Sequence, residues 1–79
     1  MHTLFFNAFL KYGTLDIEYR EKNGKDQYRG MYNLAVVYHD EYTLTQDSKY
    51  KEEAKKLYEA TLHSRWGEFS KKNLESLCK

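Results

Sequence analysis

The chain has 79 residues, with 13 Lys and Arg, 12 Asp and Glu, and one cysteine, Cys78. That length allows one small core and no second domain of its own. The near-neutral balance of +1 excludes the uniformly basic character of most nucleic-acid binders, so any such site must come from local clustering.

One cysteine forms no internal disulfide, and the expectation is an intracellular, reducing compartment: cytoplasm, nucleus or organelle matrix. No apolar run approaches the roughly 20 residues of a membrane span, so no membrane partner is expected. The stretch Leu4-Phe5-Phe6-Asn7-Ala8-Phe9-Leu10 lacks a basic leader and a small-residue cleavage site, and reads as a core element.

In chain order, apolar residues at 4, 5, 8, 9 and 12 have helical spacing, with Thr3 as N-cap and Gly13 as stop. Leu15, Ile17 and Tyr19 then alternate with Asp16, Glu18 and Arg20, which predicts a strand over 15–21. Asn23-Gly24 is a hairpin signal. It sets Tyr19 opposite Tyr28 and Glu18 opposite Arg29, while Lys22 against Lys25 lengthens the connection. A second strand is expected over 31–38, with Tyr32, Leu34, Val36 and Tyr38 on one face and Met31, Ala35 and Val37 on the other. His39-Asp40-Glu41 reads as a turn and 42–46 as a third strand.

From Asp47 the period becomes helical. Tyr50, Ala54, Leu57, Tyr58, Thr61, Leu62 and Trp66 form a stripe, with Asp47 or Ser48 as cap. Gly67 interrupts, and Ser70 starts a short last helix carrying Leu74, Leu77 and Cys78. The expected fold class is α+β: α-β-β-β-α, a three-stranded antiparallel sheet with two helices on one face, plus a short C-terminal helix. Residues 1–67 form the domain and 68–79 the helical extension. The expected core is Phe5, Phe9, Ile17, Leu34, Val36, Ala54, Tyr58 and Leu62.

With this element order, residues 3–66 resemble the double-stranded-RNA-binding domain. The resemblance runs without a gap from the strand-two aromatic, Tyr32, to the alanine of a Lys-Lys-x-Ala-Lys motif, here Lys51-Glu52-Glu53-Ala54-Lys55. Gly24 matches the family's loop glycine. The resemblance implies shape-based contact with double-stranded RNA across two minor grooves and the phosphates between them. Carried over, the contacts would come from Asn7 and Lys11 in the first helix, Lys25, Gln27 and Arg29 in the loop, and Lys49, Lys51 and Lys55 at the last helix. Glu52 stands where the family has its central lysine, Lys25 and Gln27 where it has proline and histidine, and Ala8 and Lys11 where it has glutamate and glutamine.

The implied function is non-catalytic RNA binding within RNA processing or a ribonucleoprotein assembly. The alternative is a divergent domain of the same fold that mediates protein–protein contact or dimerisation, using the apolar Met31, Ala35 and Val37 face. Protein partner and homodimer are thus both open. A third reading remains: Tyr32-Asn33-Leu34-Ala35 through Tyr38, then Ala54 and Tyr58, resembles a tetratricopeptide or Sel1-like helix pair, which would bind peptides.

The sequence shows no Gly-x-Ser-x-Gly, no Walker loop and no dinucleotide fingerprint. His2, His39, His63 and Cys78 are scattered without zinc-ligand spacing. No enzyme activity, metal, cofactor or small-molecule substrate is expected.

Overall fold

The computed structural model describes the backbone of residues 2–78 and the side chains of residues 4–78. The described residues form four helices: α1 (His2–Lys22), α2 (Gln27–Thr45), α3 (Ser48–Thr61) and α4 (Gly67–Leu77). There is no strand among them, so the α+β fold with its three-stranded sheet is replaced by an all-helical one. Each expected strand, 15–21, 31–38 and 42–46, lies within α1 or α2 apart from its last residue, Gln46, which caps α2.

Local alternation misleads here because positions i and i+4 satisfy both a period of two and a period of 3.6. Leu15 with Tyr19 and Leu34 with Tyr38 are such pairs. Over a longer window only the helical period closes. Phe6, Leu10, Gly13 and Ile17 share one face of α1, and Met31, Ala35, Tyr38 and Tyr42 share one face of α2. The β-branched pair Val36-Val37 lowers helix propensity only slightly, and burial of the α2 face outweighs it.

Asn23-Gly24 ends a helix instead of turning a hairpin. Gly24 is left-handed at φ 67°, and the Lys25 amide donates to the Arg20 carbonyl at 2.8 Å, closing a Schellman-type cap. The Asn23 side chain donates to the Tyr19 carbonyl at 2.8 Å. Tyr19 and Tyr28 therefore do not pair across strands, and both are exposed. His39-Asp40-Glu41 lies inside α2, and Gly13 inside α1. The expected Thr3 cap falls within α1, and its side chain lies outside the described residues.

Aspartates cap both middle helices, Asp47 as the sequence predicts and Asp26 where the sequence predicts a hairpin. Asp26 accepts from the Tyr28 amide to start α2, and Asp47 accepts from the Lys49 amide to start α3. Between α3 and α4 the chain turns tightly over 62–66, and a Cβ at Gly67 would overlap the Leu62 carbonyl oxygen.

The helices pack in sequence: α1 on α2, α2 on α3, α3 on α4. Helices two apart touch through side chains. Phe6 of α1 meets Tyr50 of α3 edge-on at 5.2 Å, and Asn73 of α4 donates to the Tyr32 hydroxyl of α2 at 2.8 Å. This is the zigzag of stacked helix pairs. The central cluster is Ala35, Ala54, Tyr58 and Leu77, flanked by Tyr32, Val36, Tyr38, Tyr42, Leu57 and Leu74. Leu34, Ala54 and Tyr58 are buried as expected, whereas Phe5, Phe9 and Leu62 are exposed and Phe6 is buried in their place. At the far end Trp66 stacks on Tyr32 at 5.7 Å and donates from Nε1 to Asp26 at 3.0 Å. Asp26 therefore caps α2 and anchors the α3–α4 turn with its two oxygens.

Two glycines let α1 and α2 approach. A Cβ at Gly13 would lie 3.0 Å from Leu34 Cδ1, and a Cβ at Gly30 would lie 2.9 Å from Ile17 Cγ1. Glycine in a helix interior costs about 1 kcal/mol relative to alanine, which this close packing must offset. Gly30→Leu should overpack the contact and lower stability by about 1–3 kcal/mol in urea unfolding. An unchanged midpoint would show that α1 does not sit against Gly30.

Candidate protein-contact groove

Because α1 packs mainly on α2, a groove runs between them. Its wider end, about 260 Å³, is lined by Phe5, Phe6 and Phe9 of α1 and Val37, Asp40, Glu41 and Leu44 of α2. It continues, with about 210 Å³ more, past Tyr12, Gly13 and Asp16 against Gly30, Asn33 and Leu34. Phe9 and Val37 line both parts. Residues 30, 33, 37, 40 and 44 recur at helical spacing, so this face of α2 follows the groove for about 21 Å.

The lining is apolar with an acidic edge. Phe5, Phe9, Tyr12 and Leu44 are all exposed large apolar or aromatic residues. Asp16, Asp40 and Glu41 are its ionisable acids, and no lysine or arginine lines either part. Arg20 holds the Asp16 carboxylate at 2.9 Å, while Asp40 stands at the surface.

The residues expected to contact RNA are spread over the molecule. Asn7 and Lys11 are exposed on α1, and Lys25 lies in the α1–α2 turn with Gln27 and Arg29 at the start of α2. Lys49, Lys51 and Lys55 begin α3, beside the other end of α2. That helix has 19 residues, and at 1.5 Å per residue its two ends stand about 27 Å apart. Lys51 is half-buried with its ammonium 5.5 Å from the Tyr42 ring centroid, and Lys49 lies over Tyr50 at 5.0 Å. The sheet that would aim these groups at adjacent grooves is absent among the described residues, so the geometry implied by the RNA-binding resemblance does not hold.

The expected protein-contact residues also separate. On a helix, Met31 and Ala35 share a face, and Val37 points elsewhere. Ala35 is fully buried in the central cluster, Met31 is half-buried, and Val37 alone lines the groove. Of the other groove residues, Asp40 is expected in a turn and Leu44 in a strand, and neither is expected at a contact surface. The sequence expects Phe5 and Phe9 in the core; the signal that distinguishes them is that the buried Phe6, one position on from Phe5, shares a helix face with Gly13 and Ile17, which pack on α2.

The buried polar contacts serve packing. The His39 Nδ1 and Tyr58 hydroxyl share a hydrogen bond of 3.0 Å. Thr61 bonds the Leu57 and Tyr58 carbonyls, and the buried Ser70 hydroxyl lies 2.6 Å from the Thr61 oxygen. With the Thr61 proton directed at those carbonyls, Ser70 donates to it. No group of three or more His, Cys, Asp or Glu among the described residues is placed to hold a metal ion. No helix among them is long and apolar enough to cross a membrane.

No family model matches the chain, and no curated protein or solved structure matches it.

Burial, then the nearby Tyr32 phenol and Asp40 carboxylate, raise the pKa of Tyr58 above its ordinary 10.0. The folded state therefore keeps a proton that the unfolded chain releases. The stability this contributes is complete below pH 10 and is lost as pH rises through the folded value. Urea unfolding at about pH 8 and about pH 11 should show a fall that Tyr58→Phe reduces. Equal falls in both proteins would show that the phenol is open to solvent.

Proposed function

We propose that the protein is a non-catalytic binding module of the helical-repeat kind, which takes an apolar segment of another protein into the α1–α2 groove. The observation that carries this reading is the groove lining: exposed aromatic and aliphatic side chains along about four turns of helix, with the exposed Asp40 carboxylate at the edge and no lysine or arginine in the lining. A matching segment is a short amphipathic helix with apolar anchors at i, i+4 and i+7 and lysine or arginine on its flanks. The α2–α3 pair supports the same class, since it carries the Tyr32 to Tyr38, Ala54 and Tyr58 pattern that resembles tetratricopeptide and Sel1-like pairs. The lone Cys78, which is free and exposed, fits a reducing compartment.

The test is a fluorescence anisotropy titration with two designed helical peptides that share leucine anchors and differ in lysine or glutamate flanks. The lysine peptide should bind more tightly, and Leu44→Glu or Val37→Glu should weaken it by at least about tenfold, near 1.4 kcal/mol. Asp40→Lys should narrow the preference between the two peptides. Failure of both peptides to bind, or equal binding by the Leu44→Glu variant, would refute the groove as the site.

A further inference from the structure

One side of α1 carries a second pattern, which meets the groove edge at Phe5 and Tyr12. Phe5, Ala8, Tyr12, Leu15, Tyr19 and Lys22 recur at spacings of three and four, the seam of a coiled coil. Phe5, Tyr12, Leu15 and Tyr19 are 63%, 66%, 49% and 57% exposed, whereas the face packed on α2 uses Phe6, Gly13 and Ile17. The seam is thus an apolar stripe of about 21 Å from Phe5 to Tyr19, continued by Lys22, and its Leu15 and Tyr19 line neither part of the groove.

From the seam we infer that α1 pairs with α1 of a second copy, antiparallel about a two-fold axis near residues 13 and 14. In this register Tyr12 faces Leu15 of the partner subunit, Ala8 faces its Tyr19 and Phe5 its Lys22. Beside the central layers, Lys11 of each copy then faces Glu18 of the other. Both side chains are exposed on α1, and the symmetry makes the ion pair occur twice.

The same two residues exclude the neighbouring registers. Sliding one heptad one way places Lys11 against its own symmetry mate, and sliding the other way does the same for Glu18. Like charges beside the seam disfavour both, so charge selects one register. The other flank holds Phe9 and Asp16, whose carboxylate is already paired with Arg20. The seam shares Phe5 and Tyr12 with the groove edge, so the two sites are told apart by Val37, Asp40 and Leu44, which belong to the groove alone, and by Lys11 and Glu18, which belong to the seam flank alone.

Sedimentation equilibrium of the full chain reads the outcome. The wild type should approach twice its 9.5 kDa mass as concentration rises. Lys11→Glu alone or Glu18→Lys alone should raise the dimer Kd by about tenfold, since each replaces two attractions by two repulsions. Carrying both substitutions in one chain should restore the dimer, and mixing the two single variants should give a one-to-one heterodimer. Both results separate charge pairing from any loss of folding, which circular dichroism monitors in parallel. A wild type that stays monomeric at every concentration would overturn the proposal. So would single variants that associate as the wild type does. Peptide binding in the groove would stand or fall separately, through the Val37 and Leu44 variants.

Discussion

The interlock of α1 with α2 is the contact on which the rest depends. Gly13 receives Leu34, and Gly30 receives Ile17. Each helix contributes one gap and one knob, so the two backbones approach closely over several turns. This fixes the rotation of α1 about its own axis. Phe6 turns inward against Tyr38 and Tyr50 at 6.0 and 5.2 Å, and Phe5 and Phe9 are left on the groove side. A rotation of α1 by one residue would bury Phe5 and expose Phe6, removing the aromatic link to α3. The groove and the α1 seam are consequences of that one rotational setting.

The aromatic residues divide the work of holding the stack. One group, Phe6 with Tyr38 and Tyr50, ties α1 to α2 and α3 at one end. The other, Tyr32 with Trp66 and Phe69, ties α2 to α4 at the opposite end. Between them Tyr58 fills the centre with its hydroxyl bonded to His39. Small residues make room where the helices cross: Ala35 and Ala54 are fully buried in the same cluster as Tyr58. The tyrosine-rich composition is explained in part by these positions, where bulk must fill a small core and the hydroxyl needs a polar neighbour. Burial and the nearby Glu53 and Tyr50 likewise raise the pKa of Tyr38.

Legibility in the sequence follows how much context each pattern required. Helix α3 was legible from Asp47 onward because its cap, its polar face and its Ala54, Tyr58, Thr61 stripe agree over four turns. Leu74 and Leu77 were legible as one face of a final helix, and Leu77 is buried. Helix α2 was not legible as a helix. Its residues 31–38 alternate, and the Asn23-Gly24 dipeptide before it serves a Schellman cap as well as a hairpin. Gly13 concealed the length of α1, since a mid-helix glycine is explained only by Leu34, a residue of another helix. Of the groove, Val37 was singled out as a contact residue, though for a sheet face that does not exist among the described residues. The rest needed the rotational setting of α1, which is a tertiary property.

The continuity of α2 and its contact with α1 are open to one direct measurement: an NMR assignment of the uniformly labelled chain. Downfield Cα shifts should run unbroken through residues 27–45, with nuclear Overhauser contacts from the Gly30 α-protons to the Ile17 side chain. Extended Cα shifts over 31–38, together with cross-strand contacts between Tyr19 and Tyr28, would contradict the all-helical account and every inference drawn from the face of α1.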